Sequence, residues 1–198
     1  MALTESTQTQ LPPAADVPAE TPKKQPAEVF IRELIETLLL TFFIFFLVNS
    51  LVGRYRIDGS SMNPTLQDGE YLIVNNLSYY LNEPERGDII VFRHPTSELN
   101  LIKRVIGVPG DTVVVENGVV TVNGVPLDEP YIAAPPTYRG QWSVPEDAYF
   151  VLGDNRNSSS DSHTWSFLPE ENIVGKALFV YWPFSKWGEV PHYKLNVE

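Results

Sequence analysis

The chain changes its apolar pattern twice. From Leu34 to Val52 nearly every position is apolar, interrupted only by Glu36, Thr37, Thr41, Asn49 and Ser50. A helix rises about 1.5 Å per residue, so about 20 such residues cross a bilayer core. The pattern predicts one membrane-spanning helix over 31–53, with Glu36 near its end and within reach of Arg32 four residues back. A cleavable signal sequence is the competing reading. The run is longer than an ordinary signal-peptide core, and a catalytic-looking motif follows almost at once, so the segment reads as an uncleaved anchor. Ahead of it, residues 1–30 are mostly polar and rich in Pro, Thr, Gln and Glu. They lack the apolar groups that offset ordering entropy and read as a disordered tail.

After the anchor the apolar period drops to two or to short apolar runs. Strands are predicted at 55–58, 70–74, 88–93, 101–107, 112–122, 149–152 and 173–182. Glu116-Asn117-Gly118 and Val122-Asn123-Gly124-Val125 are hairpin turn signals. The Pro-rich stretch 126–145 reads as a loop, and strand 173–182 is expected to return beside the first. The expected fold is mainly β: a twisted antiparallel, barrel-like domain over 54–198, with a small hairpin lobe at about 111–128.

Composition narrows the chemistry. At 198 residues there is room for one compact domain plus appendages. The absence of cysteine excludes disulfides, thiolate metal sites and a cysteine nucleophile. The net charge of −11 argues against a nucleic-acid partner. His94, His163 and His192 are scattered without ligand spacing, so no metal is expected. No glycine-rich phosphate loop is present, and no cofactor is expected.

Three stretches carry candidate chemistry. The first is Asp58-Gly59-Ser60-Ser61-Met62-Asn63-Pro64-Thr65-Leu66. Gly59 permits close backbone approach and Pro64 fixes the turn, so Ser61 reads as a positioned nucleophile. Taken alone, the stretch is only a turn. The second runs from Leu101 to Asp111 and sets Lys103 among Leu101, Ile102 and Val105. Burial there would lower the amine's pKa toward neutrality and make it a base for a serine. Strand alternation would send Arg104 to the opposite face, into water. A surface Lys-Arg pair is the structural alternative. The third is Gly153-Asp154-Asn155-Arg156 followed by Ser158-Ser159-Ser160-Asp161-Ser162-His163.

The ordered set resembles the type I signal peptidases. It comprises Ser-Met-x-Pro-Thr-Leu at 61–66, Arg-Gly-Asp-Ile-Ile-Val-Phe at 86–92, Lys-Arg-x-x-Gly-x-Pro-Gly-Asp at 103–111, and Gly-Asp-Asn-Arg with Ser-x-Asp-Ser at 153–162. The likeness covers roughly Leu34 to Pro183. It implies a serine endopeptidase with Ser61 as nucleophile and Lys103 as general base. Ser159 would hydrogen-bond the Lys103 amine, and Asp161 would hold the loop. The family's usual arginine two residues after that aspartate is His163 here, which puts the ion pair in doubt. Gly59 stands where some relatives have a serine, so the oxyanion hole would lean on backbone. Ile57, Met62, Leu66, Leu101 and Ile102 would line shallow pockets for small side chains of an extended peptide.

The implied partners are precursors bearing signal peptides and the lipid bilayer, with no metal and no nucleic acid. The implied site is a plasma or thylakoid membrane, N-terminus inside and domain outside. Trp142, Phe184 and Trp187 are candidates for contact with the membrane interface. A Ser61–His163–Asp triad competes, but Lys103 matches the family's base position. A self-cleaving Ser-Lys repressor and an inactive anchored module binding extended peptides remain as rivals.

Overall fold

The computed structural model describes residues 27–195 and Val197. The chain separates into two units, 1–43 and 44–198. The first helix, α1, spans Ala27–Leu51, 25 residues with none buried. It is about 37 Å long at 1.5 Å per residue, enough to cross a bilayer core of about 30 Å. Glu28 sits in its first turn, where a carboxylate complements the positive end of the helix dipole. The Arg32–Glu36 pair forms at 2.7 Å. The helix therefore begins inside the segment expected to be tail: 27–30 are helical, and the rest of that prediction, 1–26, lies outside the described residues.

Strand structure starts at the residue after the helix. Along the chain come β1 (Val52–Arg56), β2 (Tyr71–Asn75), the short helix α2 (Ser78–Leu81), β3 (Ile89–Arg93), β4 (Asn100–Gly107), β5 (Thr112–Glu116), β6 (Val119–Val122), β7 (Val125–Pro126), β8 (Gly140–Ser143), β9 (Ala148–Leu152), α3 (Ser162–Trp165), β10 (Leu168–Pro169), β11 (Ile173–Trp182) and β12 (Gly188–Glu189). The main sheet runs β1-β2-β11-β3-β4-β9-β10, with β12 on β11. Its strand pairs are antiparallel, and register shifts in β11 and β4 bend it. It curls as a half-barrel without closing; among the described residues β1 and β10 end it unpaired to each other. β11 returns between β2 and β3, one strand away from the expected place beside β1.

The second sheet, β7-β6-β5-β8, is the predicted lobe enlarged. Asn117 and Gly118 have φ of 52° and 79°, and Asn123 and Gly124 have 52° and 83°. These are the left-handed pairs that two-residue hairpins demand, so both turn predictions hold. The expected loop 126–145 is a misreading in part, because Gly140–Ser143 adds to β5 as β8. Its half-buried–exposed alternation was hidden by the prolines around it.

Alternation on β3 organises the interior. Ile89 and Val91 pack with Leu72, Val74, Ala177 and Val180, while Ile90 and Phe92 pack on the other face with Val105, Tyr149 and Val151. A third cluster joins the small sheet (Val113, Val115, Val120, Val122) to Ile106, Phe150 and Leu152. The main sheet is thus buried on both sides where β3 and β4 cross it, and β4 carries Lys103 through that dry layer.

Candidate active site

Ser61 sits in a turn stitched at several points. Just upstream, Ile57 N–H donates to Glu70 O at 2.8 Å, and Gly69 N–H donates to Ile57 O at 2.9 Å. Gly59 N–H donates to Asp68 Oδ1 at 2.7 Å, and Gly59 has φ +98°. A Cβ at Gly59 would meet nothing within 4 Å. Its glycine is required by backbone conformation, not by the close approach expected from sequence. Asn63 N–H donates to Ser60 O at 3.1 Å and Leu66 N–H to Met62 O at 2.9 Å, closing the turn. The Ser61 N–H has no protein acceptor among the described residues, which leaves it free to meet an oxyanion.

Lys103 Nζ lies 2.8 Å from Ser61 Oγ and 2.9 Å from the carbonyl oxygen of Ile102. The side chain is 2% exposed. Burial disfavours the ammonium and brings its pKa down to about 8 from an ordinary 10.5, against the opposing pull of Asp161 and then Asp154. An amine with that pKa is partly neutral near physiological pH and can accept the hydroxyl proton.

The third stretch fastens both. Asn155 N–H donates to Ser61 O at 3.0 Å, and its side-chain amide donates to Ser60 O at 3.1 Å. Thr65 Oγ1 donates to Asp154 Oδ2. Asp161 is fully buried; Oδ2 accepts from Gly153 N–H at 2.9 Å, and Oδ1 lies 2.6 Å from His163 Nδ1. The His163 ring stacks on Tyr138 at 3.9 Å. The Asp161–His163 contact thus forms despite the missing arginine. A Cβ on Gly153 would lie 2.3 Å from Ser159 Oγ and 2.5 Å from Ser61 O, so it is here that close approach demands glycine.

A cleft of about 90 Å³ opens beside the pair, lined by Tyr55, Ile57, Leu72, Leu101, Ile102 and Lys103 among others. The crevice lined by Tyr79, Tyr80, Glu170 and Glu171 is larger, about 610 Å³, but holds neither Ser61 nor Lys103. Two sheet edges meet at the smaller cleft. Among the described residues β1 pairs only with β2, and Asn100 to Lys103 of β4 pair only with β3, because β9 joins β4 from Arg104 onward. Among the described residues neither edge has a neighbouring strand on its open side, so each can take one.

Several residues stand elsewhere than expected. Arg104 does not reach water. It is fully buried, bound two-pronged to Asp154 at 2.8 Å and 2.8 Å, with Gly87 O at 2.8 Å and its guanidinium 4.0 Å above the Tyr131 ring. Both faces of β4 are covered here, so alternation moved Arg104 from one interior to another. Ser159 Oγ is buried but makes no hydrogen bond among the described residues, so the expected bond to Lys103 is not formed. Met62 and Leu66, at 1% exposure each, belong to the core around Leu72 and Val74, beneath the cleft and not on its wall. Ile57, Leu101 and Ile102 do line it. Trp142 packs against Phe150, whereas Phe184 and Trp187 are exposed and stacked.

Asn155 was missed as a tether of the Ser61 turn. The signal was its place within Gly-Asp-Asn-Arg, where a side-chain amide can bridge two loops. Among the described residues no group of three or more His, Cys, Asp or Glu side chains could hold a metal.

The fold and site define a β-rich domain that follows an apolar helix and sets a serine hydroxyl within hydrogen-bond distance of a buried lysine amine. The family model "Signal peptidase, peptidase S26" matches residues 31–182. A signal peptidase I of Leptolyngbya laminosa is 43% identical over 197 residues, 93% of this chain and 97% of the relative. A probable signal peptidase I-2 of Synechocystis sp. is 46% identical over 175 residues, 84% of this chain and 80% of the relative. A crystal structure of a signal peptidase I from Enterococcus faecalis V583 is 34% identical, with a TM-score of 0.45, and covers 48% of this chain and 97% of that one. The chain belongs to the signal peptidase family, peptidase S26, and is a membrane-anchored serine endopeptidase.

Proposed function

We propose that this chain removes signal peptides from precursor proteins with Ser61 as nucleophile and Lys103 as base. The observation that carries the reading is the 2.8 Å contact between the Ser61 hydroxyl and a buried Lys103 amine whose pKa falls to about 8. Ser61 Oγ attacks the scissile carbonyl carbon while its proton passes to Lys103 Nζ. The oxyanion meets the free Ser61 N–H. Lys103 then returns the proton to the leaving amine, and water hydrolyses the acyl-enzyme by the same exchange.

The substrate joins as a strand between the edges of β1 and β4. Both strands run toward the Ser61–Lys103 pair, so a peptide with its scissile bond there lies parallel to both. The side chains immediately before the scissile bond and two places further upstream face Ile57, Leu101 and Ile102. A cleft of about 90 Å³ suits alanine-sized groups, as in the small-residue cleavage sites of secretory signals.

The precursor's own apolar segment lies in the bilayer, and α1 holds the enzyme in the same two dimensions, which raises effective concentration. The N-terminus is cytoplasmic and the domain faces the outer or lumenal side of a plasma or thylakoid membrane, with Trp182, Phe184 and Trp187 dipping into its interface. Cleavage of a model precursor in detergent tests the chemistry: Ser61→Ala and Lys103→Ala should be inactive yet folded. An active Lys103→Ala would refute the base assignment.

A further inference from the structure

The cleft has a charged rim that the small-residue pockets do not explain. Arg56 and Asp58 flank the buried Ile57 and also line the cleft. Arg56 Nη1 lies 3.4 Å from Asp58 Oδ1, and both side chains are largely solvent-exposed, at 55% and 76%. Ile57 continues the β ladder through its bonds with Glu70 and Gly69, so the chain is extended here and its side chains alternate. Ile57 faces the interior; Arg56 and Asp58 face outward.

A peptide strand laid along this edge alternates in phase with it. The residue before the scissile bond and the residue two places upstream share the inner face with Ile57. The residue between them, second before the scissile bond, shares the outer face with Arg56 and Asp58. We infer that Arg56 and Asp58 form a two-signed charge reader for this second residue: Asp58 receives a basic side chain and Arg56 an acidic one, so wild type tolerates either sign. In the free enzyme the two charges satisfy one another. A charged substrate residue exchanges that contact for its own, so the pair stays solvated and its effect is modest and salt-sensitive. The inference rests on the strand-addition reading of the cleft.

The test uses the full-length enzyme in detergent and three peptides that differ only at that second position: Ala, Lys and Glu. The readout is the ratio of kcat/KM for the Lys peptide to that for the Glu peptide, taken within one preparation so that any inactive fraction cancels. Asp58→Asn should lower the ratio by about three-fold and Arg56→Gln should raise it by about three-fold, the size expected of exposed charge pairs. Both shifts should shrink in 0.5 M salt, where screening acts within about 4 Å. The swap Arg56→Asp with Asp58→Arg should restore a ratio near that of wild type. A ratio that is the same in wild type and both single variants overturns the inference, as does a shift of the same sign in both. Cleavage of these peptides by Ser61→Ala would instead overturn the underlying dyad reading, whatever the ratios.

Discussion

Lys103 is unfavourable for the fold and, in the proposed mechanism, necessary for the chemistry. Its pKa is lower in the folded chain, about 8, than the ordinary 10.5 of an unfolded lysine. Between those values the unfolded state holds a proton that the folded state lacks, so stability rises with pH across that window. Below about pH 8 the full penalty of the buried ammonium is present, about 3 kcal/mol for a shift of this size. Lys103→Met should therefore be more stable than wild type by up to that amount at pH 7. The gain should fade toward pH 10.5, as denaturant melts at three pH values would reveal. In the wild type, the limb of kcat/KM that rises with pH should have its midpoint near 8, because the neutral amine is the active form. Gly59 carries a different requirement. At φ +98° an alanine is strained though no atom blocks it, so Gly59→Ala should lose about 1–2 kcal/mol in a thermal or urea melt.

Among the elements, the loop after β9 does the most to position the site. Gly153 packs against both Ser159 and the Ser61 carbonyl, so Gly153→Ala must push the two stretches apart. Its kcat should fall by about ten-fold or more while KM changes less, since the displaced atoms belong to the Ser61 turn and not to Ile57, Leu101 and Ile102. The Arg104–Asp154 pair anchors this loop to β4 from within the core. Asp154→Ala leaves a buried guanidinium unpaired and should destabilise by about 3–5 kcal/mol, whereas replacing both partners by apolar residues should recover much of that loss.

The core strands and both Asn-Gly hairpins were legible because alternation and left-handed turns are written locally. The pairing of β11 between β2 and β3, and the burial of Arg104, were not legible. Each depends on what a distant segment covers. Ser61 and Lys103 stood out through motif order, while the burial of Met62 and Leu66 in the core was not legible, because nearness in sequence to Ser61 is not nearness to the cleft.

At the scale of the whole molecule, the proposed function uses two sheet edges far apart in sequence, both bordering the cleft beside Ser61 and Lys103, and an apolar helix to keep the enzyme with its membrane-borne substrates. In the proposed reading the exposed aromatics Trp182, Phe184 and Trp187 meet the bilayer surface. Trp182 and Phe184 are 5.0 Å apart, and Phe184 stacks on Trp187 at 5.8 Å. In vesicles containing brominated lipids, tryptophan emission of the full chain should be quenched, and Trp182→Phe with Trp187→Phe should remove most of that quenching; undiminished quenching would exclude this surface. The most direct measurement compares cleavage of one precursor by wild type, Lys103→Ala and His163→Ala across pH 5 to 10. The expected result is no turnover with Lys103→Ala and, with His163→Ala, retained turnover whose rising limb still lies near pH 8. Activity in Lys103→Ala together with its loss in His163→Ala would mean that the histidine, not the lysine, is the base.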